Sequence, residues 1–259
     1  MKWIKYILYF FLVLYGLFCL ALYFGQEKIL FLPTQLPANY QHWKGQEVWI
    51  QTPDDIRLNA SLVKQANPKG AILYLHGNRG SLKRCLAQTR QFDDMGYDIL
   101  VLDYRSYGKS EGRLINEDQM YADAQLAYDY LSKRYEDIII VGYSMGSGMA
   151  SYLAANNKTK ALLMVAPYVS LVDMKNRYLP IIPNFLLKYH FRTDLHLAKV
   201  SCPTILVHGV EDEVIPIDSS TKLNSMFPKT ELISLPGVSH RRVIFHEAIG
   251  QAMRKFQSL

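Results

Sequence analysis

The chain has 259 residues, of which 49% are hydrophobic and 20% are charged. This length and composition suit one globular domain with a substantial core, and they exclude fibrous, low-complexity and disordered classes. The net charge is +6, but lysine and arginine are scattered, without a run of five or more. We therefore expect a solvated basic surface and no nucleic-acid partner.

The first element along the chain is an apolar segment, residues 6–26, that carries no charged side chain. A helix needs about 20 such residues to cross a hydrocarbon core of ~30 Å. The alternative is a secretory signal peptide, whose apolar region is typically ~7–15 residues long and ends in a small-residue cleavage site. The segment here is longer and has no convincing site of that kind. We predict an uncleaved membrane anchor over residues 1–26 and a single domain over residues 27–259.

Positive charge flanks this anchor unequally. Lys2 and Lys5 precede it, whereas only Lys28 follows it closely. The positive-inside rule then predicts a cytoplasmic N-terminus and a main domain on the extracytoplasmic side, periplasmic or luminal. The residues that come next, 29–33, read Ile-Leu-Phe-Leu-Pro, and we expect this juxtamembrane segment to hold the domain close to the bilayer.

Beyond the anchor, short apolar runs alternate with turns and with helical patterns. Two opening strands, 47–51 and 57–63, surround a turn and form a hairpin. Further strands are predicted at 71–75, 98–102, 138–141, 161–165, 205–207 and 231–235, and helices at 81–95, 116–134, up to about 156, and 243–256. This order predicts an α/β fold with a mostly parallel central sheet and helices on both faces. Residues 167–202 show no clear strand, which favours an inserted cap over a site.

The strongest chemical signal is the pentapeptide Gly142-Tyr143-Ser144-Met145-Gly146, between a buried strand and a helix. A serine on a sharp strand-to-helix turn projects its Oγ from the sheet edge, where it can act as a nucleophile. Such a turn strains the serine backbone by ~1–3 kcal/mol, and flanking glycines relieve the crowding where strand and helix approach. A purely structural glycine-rich turn is the alternative, but the preceding buried strand favours a nucleophile.

A serine nucleophile needs a base, and the base needs an acid that orients it. Asp212 follows the strand at 205–207, and His240 follows the last strand, so both belong to the carboxyl edge of the predicted sheet. We predict Ser144 as nucleophile, His240 as base and Asp212 as the orienting acid. The rivals of Asp212 are Glu211, Glu213, Asp173 and Asp194. The rival of His240 is His246, which we place inside the final helix, pointing away.

A tetrahedral intermediate also needs hydrogen-bond donors for its oxyanion. We predict that the backbone N–H groups of Met145 and Asn78 supply them, because Met145 follows the nucleophile and Asn78 lies in the loop after strand 71–75. His76, at the start of that loop, is expected to be structural. Three scattered cysteines give neither a disulfide framework nor a metal motif, so we expect no metal and no cofactor.

On these residues the chain resembles the α/β-hydrolase superfamily from about residue 47 to the C-terminus, and within it a branch of small hydrolases with an N-terminal membrane anchor. The blocks that carry the resemblance are 29–33, 76–78, 103–110, the pentapeptide around Ser144, and the loops of Asp212 and His240. One departure is Ser106, where the related loop usually has glycine. Another is Val238-Ser239, where glycine-rich sequence is commoner.

The resemblance implies hydrolysis of an ester, thioester or amide through an acyl-enzyme, without a cofactor. Residues 178–187 are strongly apolar, which favours a lipid-like or acylated small-molecule substrate, although ordinary packing of a short helix would give the same pattern. A peptidase or amidase, and a membrane-anchored acyltransferase, would use the same triad. A peptidase needs an acidic group for the substrate amine, and Asp173 is the obvious candidate. The complete triad argues against a non-catalytic scaffold.

Overall fold

The structure is a computed structural model that describes residues 2–258. It begins with a continuous helix, α1, which spans Lys2–Leu30 and therefore extends four residues beyond the uncharged segment. Among residues 2–258, α1 is the one helix that is long and apolar enough to cross a membrane. Most of its side chains are exposed, so its apolar surface is not explained by packing inside the domain.

The centre of the domain is an eight-stranded sheet, and a two-stranded ribbon lies beside it. The ribbon pairs β1 (Leu32–Pro33) in parallel with β5 (Arg79–Gly80). The eight strands are β2 (Gln46–Gln51), β3 (Arg57–Val63), β4 (Ala71–Leu75), β6 (Asp98–Leu102), β7 (Ile138–Tyr143), β8 (Ala161–Val165), β9 (Thr204–Gly209) and β10 (Glu231–Leu235). Their spatial order is β10-β9-β8-β7-β4-β6-β3-β2, and β3 alone runs antiparallel to both of its neighbours. The predicted fold class and all eight predicted strands are confirmed.

The helices of the domain lie on both faces of this sheet. They are α2 (Leu82–Cys85), α3 (Glu117–Ser132), α4 (Gly146–Asn156), α5 (Leu171–Tyr178), α6 (Thr193–Leu197), α7 (Asp218–Met226), α8 (His240–Val243) and α9 (Glu247–Gln257), with 3-10 turns at Leu86–Phe92 and Asn184–Leu186. Strand β4 shows the layering: Leu73 and Leu75 belong to one buried cluster, whereas Ile72 and Tyr74 belong to the cluster on the other face. Burial on both faces explains why β4 is apolar along its whole length.

Two predicted helices are wrong in detail. The helix predicted at 81–95 is α-helical only to Cys85 and then tightens into a 3-10 turn. There the Thr89 hydroxyl donates to the Leu86 carbonyl and competes with the backbone ladder. The final helix is interrupted because the His246 side chain accepts from the Ala248 N–H and caps α9. His246 therefore begins the last helix and does not lie inside it.

Candidate active site

The turn between β7 and α4 places Ser144 in the left-handed backbone region, with φ of 53°. Its N–H donates to the Val165 carbonyl at 2.8 Å, which ties the turn to the neighbouring strand. A Cβ on Gly146 would lie 2.0 Å from the Leu75 carbonyl oxygen, and a Cβ on Gly142 would lie 2.6 Å from the Ala150 Cβ. Both glycines are therefore required by close approach, as the sequence pattern predicts.

The structure brings the three predicted catalytic side chains into one hydrogen-bonded line. The Ser144 Oγ lies 3.0 Å from His240 Nε2. The opposite ring nitrogen, Nδ1, lies 2.6 Å from Asp212 Oδ2. The three residues come from different loops at the same carboxyl edge of the sheet, and each is at most 7% exposed. A carboxylate on Nδ1 leaves Nε2 free to accept the serine proton, which is the arrangement that activates a hydroxyl.

The loop after β9 holds the Asp212 carboxylate in a dense set of donors. Its Oδ1 accepts from the N–H groups of Val214 (2.8 Å) and Ile215 (2.7 Å). Burial alone would raise the pKa of Asp212, but hydrogen bonds from His208 and His240 outweigh it and hold the pKa well below its usual range. Asp212 is therefore a charged partner for the imidazole at neutral pH.

His208 is a part of the site that sequence reasoning missed. It is fully buried at the end of β9, and its Nε2 lies 2.7 Å from the Ile215 carbonyl and 3.2 Å from Asp212 Oδ2. The carbonyl requires a donor, so Nε2 carries the proton, and Nδ1 accepts from the Ser220 hydroxyl at 2.6 Å. The only sequence signal was its position immediately before the Asp212 loop.

The acidic rivals of Asp212 have other partners. Glu211 accepts from the Val238 N–H at 3.0 Å, and Glu213 accepts from the His240 N–H at 3.2 Å, so both brace the histidine loop through its backbone. Two more distant carboxylates form ion pairs elsewhere, Asp173 with Lys222 and Asp194 with Arg192. In the part of the chain that the structure describes, Asp212 is the carboxylate that contacts the His240 ring.

The predicted oxyanion donors, Met145 and Asn78, border the cavities beside Ser144, and the end of helix α1 contacts one of them. The Asn78 carbonyl accepts from the Leu32 N–H (2.9 Å) and from the Tyr107 hydroxyl (2.7 Å). Its side-chain amide donates to the Leu30 carbonyl at 2.8 Å, at the last residue of α1. The end of α1 and the segment after it thus hold Asn78 in place through its carbonyl and its side chain. Sequence reasoning assigned this segment to the bilayer surface and missed its contact with the site.

His76 lies beneath this loop. Its Nδ1 is 2.7 Å from the Gly77 carbonyl, and its Nε2 is 3.5 Å from the Asp103 carboxylate. The Tyr104 hydroxyl donates to the His76 carbonyl at 2.8 Å. The imidazole is fully buried, so it supports the loop from below and does not face the reacting atoms.

Comparison with known proteins agrees with this fold. The family model described as Hydrolase_4, serine aminopeptidase S33, matches residues 66–194. The solved esterase Pf2001 of Pyrococcus furiosus superposes with a TM-score of 0.69 at 19% identity, covering 88% of this chain and 97% of its own. The α/β hydrolase domain-containing protein WAV2 of Arabidopsis thaliana is 27% identical, over 74% of this chain and 72% of its length. The chain belongs to the α/β-hydrolase superfamily.

The name of a second relative of this α/β hydrolase includes a substrate. The lysophosphatidylserine lipase ABHD12 of Danio rerio is 28% identical, over 69% of this chain and 52% of its own length. The chain therefore spans about half of that relative. The match is a similarity between domains of one superfamily.

The departure at Ser106 has a structural consequence in this α/β hydrolase. Ser106 adopts φ of +70°, a region that glycine occupies freely and that an L side chain occupies at a cost. Its hydroxyl makes one long contact, 3.4 Å to the Gly112 carbonyl. A glycine at this position would adopt the same angle without strain.

Ser144 separates two cavities of contrasting character. The more polar one, of about 230 Å³ and called the polar cavity below, has His240 and Gln88 in its lining. The other, of about 220 Å³, is mostly apolar, and its lining includes Met145, Met174 and Phe191. Asn78 borders both. The two halves of a bound substrate would therefore meet different surroundings on either side of the nucleophile.

The polar cavity is cationic. Arg79, Arg84 and Arg241 line it, and all three are exposed. Within residues 2–258, none of these guanidinium groups has a carboxylate partner within ion-pair distance, and the lining contains no acidic side chain. An anionic group beside Ser144 would meet favourable charge in this cavity.

Proposed function

We propose that this protein is a membrane-anchored serine hydrolase that cleaves ester or thioester bonds through an acyl-enzyme. The observation that carries the proposal is the continuous contact from Ser144 Oγ through His240 to Asp212, with distances of 3.0 and 2.6 Å. This geometry meets the requirement for an activated serine nucleophile. Membership of the α/β-hydrolase superfamily supports the same chemistry.

In the acylation step, Ser144 Oγ attacks the carbonyl carbon while His240 Nε2 removes the hydroxyl proton. The carbonyl oxygen becomes an oxyanion, and the N–H groups of Met145 and Asn78 stabilise it. Asp212 stabilises the imidazolium that forms. Collapse of the intermediate breaks the bond to the leaving group, which takes the proton from His240. The product is an acyl ester on Ser144 and a free alcohol or thiol.

Deacylation repeats these steps with water as the nucleophile. His240 removes a proton from water, the hydroxide attacks the acyl carbon, and the second intermediate collapses to a carboxylic acid and Ser144. Because His240 must protonate the leaving group, the leaving group lies on the His240 side, in the polar cavity. The acyl chain then occupies the apolar cavity beside Met145.

This partition supports a lipid-like or acylated substrate. An apolar cavity of about 220 Å³ suits a hydrocarbon chain, and the cationic cavity suits a polar or anionic leaving group. The relative ABHD12, described as a lysophosphatidylserine lipase, and the esterase Pf2001 support ester hydrolysis over other reactions of this fold.

A peptidase is the main alternative, since the matching family model is described as a serine aminopeptidase. An aminopeptidase must hold a substrate amine, and the sequence offers Asp173 for that role. Asp173 instead pairs with Lys222, with Nζ and Oδ1 2.6 Å apart, and three arginines surround the polar cavity. Cationic walls repel an amine, so these contacts favour an ester. An acyltransferase would differ only in the acceptor that deacylates Ser144.

The membrane attachment belongs to the proposal as well. We propose that residues 1–26 anchor a domain of residues 27–259, with residues 167–202 as its cap. By the positive-inside rule, Lys2 and Lys5 support a cytoplasmic N-terminus and a domain on the opposite side of the membrane. The apolar length of α1 supports a single crossing.

Hydrolysis of a graded series of acyl esters, from acetate to palmitate, tests the proposal with purified full-length protein in detergent. We expect turnover that Ser144→Ala abolishes, with long acyl chains cleaved no worse than short ones. Added alcohol acceptors distinguish an acyltransferase, which would form new esters in place of free acid. A sharp preference for acetate over octanoate would contradict the lipid-like substrate, and faster cleavage of amino-acid amides than of esters would favour the peptidase.

A further inference from the structure

The cap extends along the anchor helix far beyond the point where the helix joins the domain. The cap tip, residues 178–187, contacts α1 at two levels. At the upper level, Gln26 Nε2 donates to the Leu186 carbonyl (2.7 Å), and Gln26 Oε1 accepts from the Lys188 N–H (3.0 Å). At the lower level, the Tyr15 hydroxyl donates to the Ile181 carbonyl (2.6 Å). Both polar atoms of the Gln26 side chain therefore bond to the backbone of the cap and hold it against α1.

These two levels lie at different depths of the predicted membrane span. Residues 15 and 26 are separated by roughly 16 Å along a helix that rises ~1.5 Å per residue. A hydrocarbon core of ~30 Å that begins near Lys5 ends near Gln26, and Tyr15 then lies close to its middle. If the cap tip stayed in water, only the part of the helix from residue 2 to Tyr15 could lie in the membrane. That part is about 20 Å long, which is too short to cross a hydrocarbon core of ~30 Å.

The cap tip has the composition and the bonding that a hydrocarbon environment demands. Its ten residues carry no charge, and the first charged groups on either side form ion pairs, Arg177 with Asp218 and Lys188 with Glu27. Irregular backbone in lipid must have its polar groups satisfied by the protein. Besides the Ile181 and Leu186 carbonyls bonded to α1, the Ile182 carbonyl accepts from Lys175 Nζ at 2.7 Å.

The side chains on the outer surface of the cap tip are large and apolar. Phe185 is 81% exposed and Ile181 is 67% exposed, next to the exposed apolar face of α1. In water these side chains would form one continuous apolar patch with the helix. Soluble surfaces rarely carry such patches, whereas membrane-binding surfaces do.

Between the cap tip and α1 lies an apolar groove of about 210 Å³. Its walls are Leu22, Tyr23, Gln26, Ile29 and Leu30 from α1, Leu171, Met174, Lys175 and Tyr178 from α5, and Leu179, Ile182, Leu186 and Leu187 from the cap tip. The polar ends of Gln26 and Lys175 are bonded to cap carbonyls, which leaves hydrocarbon toward the groove. Leu30, Leu171 and Met174 also line the apolar cavity beside Ser144.

We propose that the cap tip is inserted in the leaflet on the domain's side, and that the groove receives the acyl chain of a bilayer ester on its way to Ser144. The inference rests on the proposed function and adds a binding site to it. The anchor helix becomes one wall of the substrate path. Three shared side chains separate the groove from the cavity, and the unbranched Met174 among them can change rotamer to let a chain pass.

Photocrosslinking tests the groove without catalysis. Ser144→Ala protein is reconstituted in phosphatidylcholine vesicles that contain a monoacyl glycerol ester with a diazirine in the distal half of its chain. We expect crosslinks on Met174, which lines both the groove and the apolar cavity beside Ser144. Leu22→Trp fills the groove and should lower the Met174 crosslink at least 10-fold. Leu12→Trp makes the same change on the exposed face of α1 and should leave it unchanged.

Crosslinks confined to the exposed face of α1, such as Phe11, or equal Met174 crosslinks in both tryptophan variants, would overturn the groove as the binding site of the acyl chain.

A nitroxide on Phe185→Cys, in a protein whose natural cysteines are alanine, tests the insertion of the cap tip in the bilayer. We expect collisions with oxygen and few with an aqueous nickel chelate, and the reverse for a label on Phe245→Cys. Equal nickel access at both positions would overturn the insertion. If Met174 is crosslinked but the protein shows no Ser144-dependent hydrolysis, the proposed function is refuted and the groove remains supported as a binding site for an acyl chain.

Discussion

Substitution of Gly146 by alanine perturbs the point where the turn of Ser144 meets the end of β4 and the loop of Asn78. The new Cβ would lie 2.0 Å from the Leu75 carbonyl oxygen, 2.6 Å from the Leu75 carbonyl carbon and 2.9 Å from the His76 oxygen. All three are backbone atoms, so no side chain can rotate away. Ordinary contact begins at 3.4 Å, so the start of α4 and the end of β4 must separate by about 1.4 Å.

This separation has two expected consequences. Overpacking of a rigid backbone contact costs ~1–3 kcal/mol, and we expect a loss at the upper end of that range. The displacement also moves the loop of Asn78 away from Met145, and a misplacement of about 1 Å can lower the rate on the order of 10²-fold. We therefore expect Gly146→Ala to lose stability by ~3 kcal/mol and kcat/KM by about 10²-fold.

Urea unfolding and ester hydrolysis measure the two effects on the same preparation. Gly250→Ala is the matched control, because its Cβ would meet only flexible ends, Gln91 Oε1 at 3.3 Å and Arg254 Nη1 at 3.5 Å. The control lies within α9 and should gain up to ~1 kcal/mol from helix propensity, with unchanged activity. A Gly146→Ala protein with wild-type stability and wild-type kcat/KM would refute the reasoning.

Three further predictions follow from the site and its loops. Asp212→Asn should lower kcat about 10⁴-fold with folding retained. Because the folded state lowers the pKa of Asp212, its carboxylate stabilises the fold above pH ~4. This contribution is lost as the pH falls through the folded pKa. The wild-type advantage in urea midpoint over this variant should therefore be constant from pH 7 to 5 and shrink below pH ~4, and an advantage that grows on acidification would contradict the assignment. Ser106→Gly should raise the free energy of unfolding by roughly 0.5–1 kcal/mol, since relief of the positive φ exceeds the entropy of glycine in the unfolded chain; a lower urea midpoint at the same slope would refute this. Arg84→Gln combined with Arg241→Gln should reduce kcat/KM about 10-fold for esters with an anionic leaving group and leave kcat/KM for neutral esters unchanged. At high salt, kcat/KM for the anionic esters should be the same in the variant and the wild type. An equal loss for both ester classes would show a structural effect.

Much of the fold was accessible from the sequence because most strands are short runs rich in apolar residues between turns. The five strands β3, β4, β6, β8 and β10 begin and end at the predicted residues. In β4, β6 and β8 every residue is buried, which explains why these runs are almost wholly apolar. The helix boundaries were harder to predict. The Thr89 hydroxyl donates to a backbone carbonyl and the His246 ring accepts from a backbone N–H where two predicted helices are interrupted, and periodicity does not report such bonds.

Chain order and position at the sheet edge led to the three side chains that the structure brings together, Ser144, Asp212 and His240. Other parts of the site depend on contacts between distant segments. The hydrogen bonds from Leu32 and to Leu30 that orient Asn78 join residues more than 40 positions apart, and the bonds from α1 to the cap tip join residues about 160 positions apart. No local pattern encodes such pairings, so the anchor was predicted as a tether and its contact with the site was not.

Labelling with a fluorescent fluorophosphonate tests the assignment of Ser144 most directly. The reagent phosphonylates a serine only where a base activates it. Wild-type protein in detergent, Ser144→Ala and His240→Ala are treated in parallel, and the modified peptide is located by mass spectrometry. The account predicts that wild type alone is labelled, on Ser144. Absence of label on folded wild type, or label on another serine that persists in Ser144→Ala, would contradict it.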